Sequence, residues 1–156
     1  IGFSGGFRRS EIVNIENEDI EFVTEGVKIF VKRSKTDQSG EGMIKAIPYF
    51  ENEEFCPVVA LKKWINKIEN KNSKIFDISD KSVALIIKKY AKLAGLDSYK
   101  YAGHSLRSGF ATSTAESGAE ERNIMAMTGH KSTEMVRRYI KEANLFKNNA
   151  LNKIKF

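Results

Sequence analysis

"AGHSLRSGFATSTA", residues 102–115, sets a histidine and an arginine three positions apart among small and apolar residues. Three positions are close to one helical turn, so His104 and Arg107 share one face of a helix formed here. The rest of the stretch predicts a half-buried helix, and a guanidinium buried without a partner is costly. The pair therefore expects an anion.

Working outward, the spacing predicts a helix from His104 to Ser117, ended by Gly118. A second should run from Glu120 to Thr128, ended by Gly129, and a third from Ser132 to about Glu142. Upstream, Ser79 or Asp80 can cap a helix whose Val83, Ile86, Ile87, Tyr90 and Leu93 share one face, with Gly95 as its stop. Pro57 suits a first helical turn, followed by a stripe of Val58, Leu61, Ile65 and Ile68 that Trp64 joins as a core residue.

Before Pro57 the period changes from helical to alternating. "DIEFVTEGVKIFVKRSK" reads as two strands around Thr24-Glu25-Gly26, and "MIKAIPYF" as a third that closes near Pro48. "GGFRRSEIVNI" opens the chain as a turn and a short helix carrying Ile12 and Ile15 on one side. The expected fold is mainly α with a small three-stranded antiparallel sheet, an α+β domain.

The 156 residues fit one domain with a proper core, and the 41% hydrophobic, 29% charged composition is that of a globular protein. No apolar run approaches a membrane span, and no secretory signal peptide is present, so a cytoplasmic setting and no membrane partner are expected. The single cysteine, Cys56, excludes an internal disulfide and reads as a small packing residue. Charge is uneven. Residues 1–55 hold 7 Lys and Arg against 11 Asp and Glu, whereas residues 56–156 hold 19 against 9, for a net +6 overall. A basic body suits nucleic acid or another anionic surface, and equally a lysine-rich solvated one.

Each chemically able residue has a plain alternative when taken alone. The two histidines, His104 and His130, suffice neither as a catalytic zinc set nor with any evident third ligand. Tyr139 lies nine residues after His130, in a stripe with Met135, Val136 and Ile140 that could serve packing alone. Arg8, in "GGFRRSE", can reach a bound anion or pair with Glu11 at the surface. Lys35 lies in the hairpin tip "KRSKTDQSG", beside Lys32 and Arg33.

Together, and in this order, these fragments resemble the catalytic domain of the tyrosine recombinases, or phage integrases. "GGFRRSEI" resembles the family's first-arginine motif, matching Arg8 with Glu11 as its supporting acid. "RSKTDQSGEG" resembles the turn bearing the hairpin lysine, matching Lys35. "HSLR" matches the His-x-x-Arg motif at His104 and Arg107. "TGHKSTEMVRRY" resembles the Gly-His segment followed by the nucleophilic tyrosine, matching His130 and Tyr139. Phe7, Arg9 and Thr128 stand where the family more often has aliphatic residues.

The resemblance implies site-specific recombination of double-stranded DNA through a covalent 3′-phosphotyrosyl intermediate, with no ATP, metal or other cofactor. Arg8, Arg107, His104 and His130 would hold the phosphate, Tyr139 would attack it, and Lys35 would protonate the leaving oxygen. A catalytically silent DNA-binding module and a topoisomerase-like nicking and relaxing enzyme are the alternatives. The resemblance also implies a tetramer on paired DNA sites, and leaves a monomer open for the isolated domain. Residues 1–156 would be the catalytic domain, separate from the family's N-terminal DNA-clamping domain. Apolar positions between Leu145 and Phe156 fit docking of the 143–156 tail on a neighbouring protomer, and fit packing within one chain equally well.

Overall fold

The computed structural model describes residues 1–32, 40–68, 73–144, 146 and 149–154. The first helix, α1, is a single turn at Arg9–Ile12. Three strands follow: β1 at Ile20–Val23, β2 at Gly26–Val31 and β3 at Met43–Pro48. They form one antiparallel sheet in the order β1-β2-β3, with Val27 opposite Ile47 and Ile29 opposite Lys45. On β2 the alternation is clean, since Val27, Ile29 and Val31 are buried while Lys28 and Phe30 face outward. The inner face packs with Phe7, Ile12, Ile15, Val58, Leu61 and Ile75 into the main core.

Among the described residues five α-helices follow: α2 at Pro57–Ile65, α3 at Asp80–Leu93, α4 at Ser105–Glu116, α5 at Glu121–Thr128 and α6 at Thr133–Asn144. Pro57 occupies the first turn of α2, where a missing N–H costs nothing. At α3, Ser79 is the cap, its hydroxyl accepting from Ser82 N–H at 3.1 Å. Helices α4, α5 and α6 share a second, smaller core of Ala111, Ala115, Ile124 and Val136. Small residues on α4 let these short helices approach closely. Cys56 is buried as expected, accepting from Phe50 N–H at 3.3 Å.

The expected stripe on α3 is only partly buried. Val83 is enclosed and Ile87 half-buried, but Ile86, Tyr90 and Leu93 are exposed. Trp64 departs from its expected place as well: it is 44% exposed, with its indole N–H donating to Ile75 O at 2.9 Å and its ring stacked on Phe76. Both departures share a cause. Trp64, Phe76, Ile86, Ile87 and Tyr90 line an open apolar hollow of about 710 Å³ between α2 and α3, so the stripe up to Tyr90 faces a cavity and not a filled core, while Leu93 is not part of its lining. Among the described residues no helix is long and apolar enough to cross a membrane.

Candidate active site

The site is assembled where the turn before α1 meets the N-terminal half of α4 and the ends of α5 and β3. Gly6 adopts a left-handed φ of +55°, a conformation a side chain would strain, and this turns its carbonyl into the domain. Arg107 Nη1 donates to that carbonyl at 3.0 Å, and Lys45 Nζ donates to it at 3.2 Å. One backbone oxygen thus joins α4 to β3.

Arg107 is buried, as the half-apolar stretch around it required. Its Nη2 is also buried, and among the described residues it has no hydrogen-bond partner. Burial and the nearby Arg8 guanidinium lower its pKa to about 10, against the opposing pull of Glu11 and Tyr139, so it stays cationic at neutral pH. An unsatisfied buried guanidinium N–H is costly unless a ligand completes it.

Arg8 caps α1 from an extended backbone, its N–H bonded to Glu11 Oε2 at 2.9 Å and its Nη1 to Glu11 Oε1 at 2.6 Å. The anticipated Arg8–Glu11 pair therefore exists, but Glu11 is buried and the pair is part of the site's wall, not the surface. Burial would raise the Glu11 pKa. The Lys45 charge and the bonds from Arg8 outweigh this and hold the carboxyl below its ordinary range.

Gly129, at φ +63°, ends α5 in the left-handed conformation and reverses the chain at once, which presents His130 beside the site. His130 Nδ1 lies 2.8 Å from Thr128 Oγ1, and that hydroxyl also contacts Ile124 O at 2.6 Å. Burial, then the charges of Arg107, Arg8 and Lys45, depress the His130 pKa to about 4, leaving the ring neutral at pH 7. The half-buried Tyr139 ring, on α6, sits with its centroid 6.4 Å from that of His130.

Arg8, Arg107, His130 and Tyr139 are thereby brought together, with Glu11 behind them. His104 is exposed and forms the N-cap of α4, one turn from Arg107, and among the described residues no contact ties it to the other four. Lys35 lies outside the described residues, within 33–39. Its neighbour Lys32 is committed elsewhere, bonded to Glu16 and Glu18 at 2.5 Å each with Asp19 at 3.3 Å, which pushes its pKa up.

Lys45 is the residue the motifs did not single out. Its side chain is fully buried, donating to Gly5 O at 2.8 Å and Met127 O at 2.6 Å besides Gly6 O, with Glu11 Oε2 at 3.7 Å and the Phe7 ring beneath it. Burial lowers its pKa to about 8, partly offset by Glu11. A signal was present: in the alternating strand Met43–Pro48, Lys45 falls on the inward set with Ile47.

The architecture, mostly helical with one small antiparallel sheet, is the catalytic-domain fold of tyrosine recombinases: it superposes on a XerA recombinase with a TM-score of 0.74 at 23% identity, over 99% of this chain and 56% of that one. XerH recombinase, solved as a pre-cleavage complex with its difH substrate, gives a TM-score of 0.71 at 19% identity, over 95% and 45% of the two chains. In sequence, residues 1–145 match the phage integrase family model. An integrase/recombinase XerD homologue from Selenomonas ruminantium is 50% identical, covering 99% of this chain and 49% of its own. The tyrosine recombinase XerA of Pyrococcus horikoshii is 28% identical over 98% of this chain and 52% of its own. The chain belongs to the phage integrase family, and it spans about half the length of the curated relatives it matches.

Proposed function

We propose that this chain is the catalytic domain of a site-specific recombinase that cuts and rejoins double-stranded DNA through Tyr139. The observation that carries this reading is the buried Arg107 Nη2, lacking a partner among the described residues, beside the charge of Arg8. Two forked guanidiniums match the non-bridging oxygens of a phosphodiester, whose charge grows in the transition state. Preorganised donors of this kind contribute about 2.7–4 kcal/mol each to a barrier. The two arginines supply the charge neutralisation for which other phosphoryl-transfer enzymes use a metal, so the reading calls for no metal and no other cofactor.

The Tyr139 oxygen attacks phosphorus and the bond to the 5′ oxygen breaks, which leaves a 3′-phosphotyrosyl link and a free 5′-hydroxyl. The link preserves the phosphodiester's energy, so reversal reseals the strand without ATP. His104 and His130 supply further polar groups at the phosphate, and Lys35 protonates the leaving oxygen. Supporting Lys35 is the engagement of Lys32 with three carboxylates, which ties up that rival. The structurally similar XerH recombinase, bound to its difH substrate, and lambda integrase, bound to a core site, support duplex DNA as the substrate. Paired sites would then gather four protomers. For that assembly the apolar hollow is the seat of the 143–156 tail of a neighbouring protomer, whose Phe146, Leu151 and Ile154 are exposed. Work on DNA and a free, buried Cys56 support a cytoplasmic location.

The test is denaturing gel analysis after incubation with a pool of nicked duplexes of randomised core sequence. We expect a covalent protein–DNA adduct that survives chelation and is absent with Tyr139→Phe. Binding without any adduct would instead identify a silent DNA-binding module, and relaxation of supercoils irrespective of sequence a topoisomerase-like enzyme.

A further inference from the structure

Arg8 and Arg9 follow one another in "GGFRRSE", yet their side chains go to different places. Arg8 turns to Glu11 inside the site. Arg9, the first residue of α1, is half-buried and lies across Gly103, the residue before His104. Its Cδ and Nε fill the space that a β-carbon on Gly103 would need. Gly103 is buried and is not one of the left-handed glycines, so its missing side chain makes room for the arginine and does not relieve the backbone. Among the described residues no carboxylate or other acceptor meets the Arg9 guanidinium. Glu11, the nearest acid along the chain, is already bonded to Arg8 and faces Lys45.

A packed stem with an unpaired head also describes an arginine that only keeps its charge in water. The position of Arg9 argues for more. The chain joins it to Arg8, and contact joins it to the residue before His104, so it stands between two groups that the recombinase reading assigns to the phosphate. Duplex DNA carries one charge per about 1.7 Å of its axis, so a duplex that delivers one phosphate to Arg8 and Arg107 brings others over the residues beside them. We infer that Arg9 grips a backbone phosphate flanking the one that reacts. This rests on the recombinase reading and adds to it a contact that holds the duplex in register but takes no part in making or breaking bonds. The guanidinium presents a planar fork to two non-bridging oxygens, and a stem already seated on Gly103 loses less rotamer freedom when the phosphate arrives.

Equilibrium binding of a labelled duplex of random sequence, measured across a range of salt, tests this, because a backbone contact needs no particular sequence. Arg9→Gln keeps most of the stem and removes the charge. It should weaken binding about 10-fold, the scale of one charge-assisted hydrogen-bonded contact, and lower the slope of log affinity against log salt by about 1. Gly103→Ala keeps the charge but pushes the arginine from its seat, so it should weaken binding in the parent and cost little more in the Arg9→Gln background. At saturating nicked duplex, the single-turnover rate of adduct formation by Arg9→Gln should stay within about twofold of the parent's, as expected when only uniform binding is lost. Parent-like affinity and salt slope in Arg9→Gln overturn the proposal, while an adduct in the parent leaves the recombinase reading standing. A rate at saturation that falls along with the affinity places Arg9 in the reacting machinery and overturns it too. A parent that neither binds duplex nor forms an adduct refutes both.

Discussion

The floor and the mouth of the site each hold one buried cation, and both cations reach the carbonyl of Gly6. Lys45, in the floor, has three N–H donors and three carbonyl acceptors, with Glu11 close by; nothing on it is left to satisfy. Arg107, at the mouth, spends Nη1 on the same carbonyl and keeps Nη2 without a partner among the described residues. Equal charge and similar burial therefore accompany opposite degrees of satisfaction. The closed cation ties the Gly5–Gly6 turn to the end of α5 and so fixes where Arg8 and His130 stand. The open one leaves a gap that an anion of the right shape would fill.

The most forceful way to break this contrast is Arg107→Lys. An ammonium keeps the charge but cannot hold Gly6 O and a phosphate oxygen in the same planar fork. Adduct formation should fall about 100- to 1000-fold, the scale of one lost preorganised donor, while the urea midpoint barely moves. A variant that stays active but melts early would make Arg107 a second staple and erase the distinction. Lys45→Met should do the reverse. Removing the charge strands Glu11 beside one cation in place of two and takes the lysine donor from the Gly5 and Met127 carbonyls, while Gly6 O keeps Arg107, so stability should drop by about 3 kcal/mol in urea unfolding. An unfolding curve matching the parent's would show that the floor does not depend on this lysine.

The two cations also differ in how far the sequence disclosed them. Arg107 announced itself because a three-residue spacing to His104 in an apolar helix is a local pattern, and helices α4, α5 and α6 began within a residue or so of their expected starts. The sheet was equally legible, since alternation and turn residues are local too. Lys45 was hidden by its abundance class: it is one of 26 basic residues, and only its inward register on β3 sets it apart. The α3 stripe and Trp64 were misplaced for another reason. Apolar periodicity tells which side of a helix avoids water without telling what covers it, and here the cover is an open hollow. His130 was legible as a motif, but its 2.8 Å contact with the Thr128 hydroxyl was not, because no spacing encodes it.

A smaller effect sharpens the contrast through pH. The folded His130 titrates near 4 against an ordinary value of 6.5, so between these limits the unfolded chain binds a proton that the folded one refuses. Stability must therefore decline as pH falls from about 6.5 toward 4. Glu11 acts lower down: its folded carboxyl sits below 4.5, so its contribution is present above 4.5 and lost on further acidification. Lys45 works at the other end. Its pKa of about 8, against 10.5, leaves the folded state a proton short only above 8, so stability should rise modestly from pH 8 to 10.5. Urea midpoints measured across pH 4–10.5 separate the three groups. His130→Asn should flatten the decline between 6.5 and 4.5 and spare the alkaline rise, while Lys45→Met should abolish that rise and spare the upper acid limb. If instead His130→Asn leaves the upper acid limb as steep as before, the ring is not held neutral by its buried, cationic surroundings, and the mouth of the site is wetter than its geometry implies.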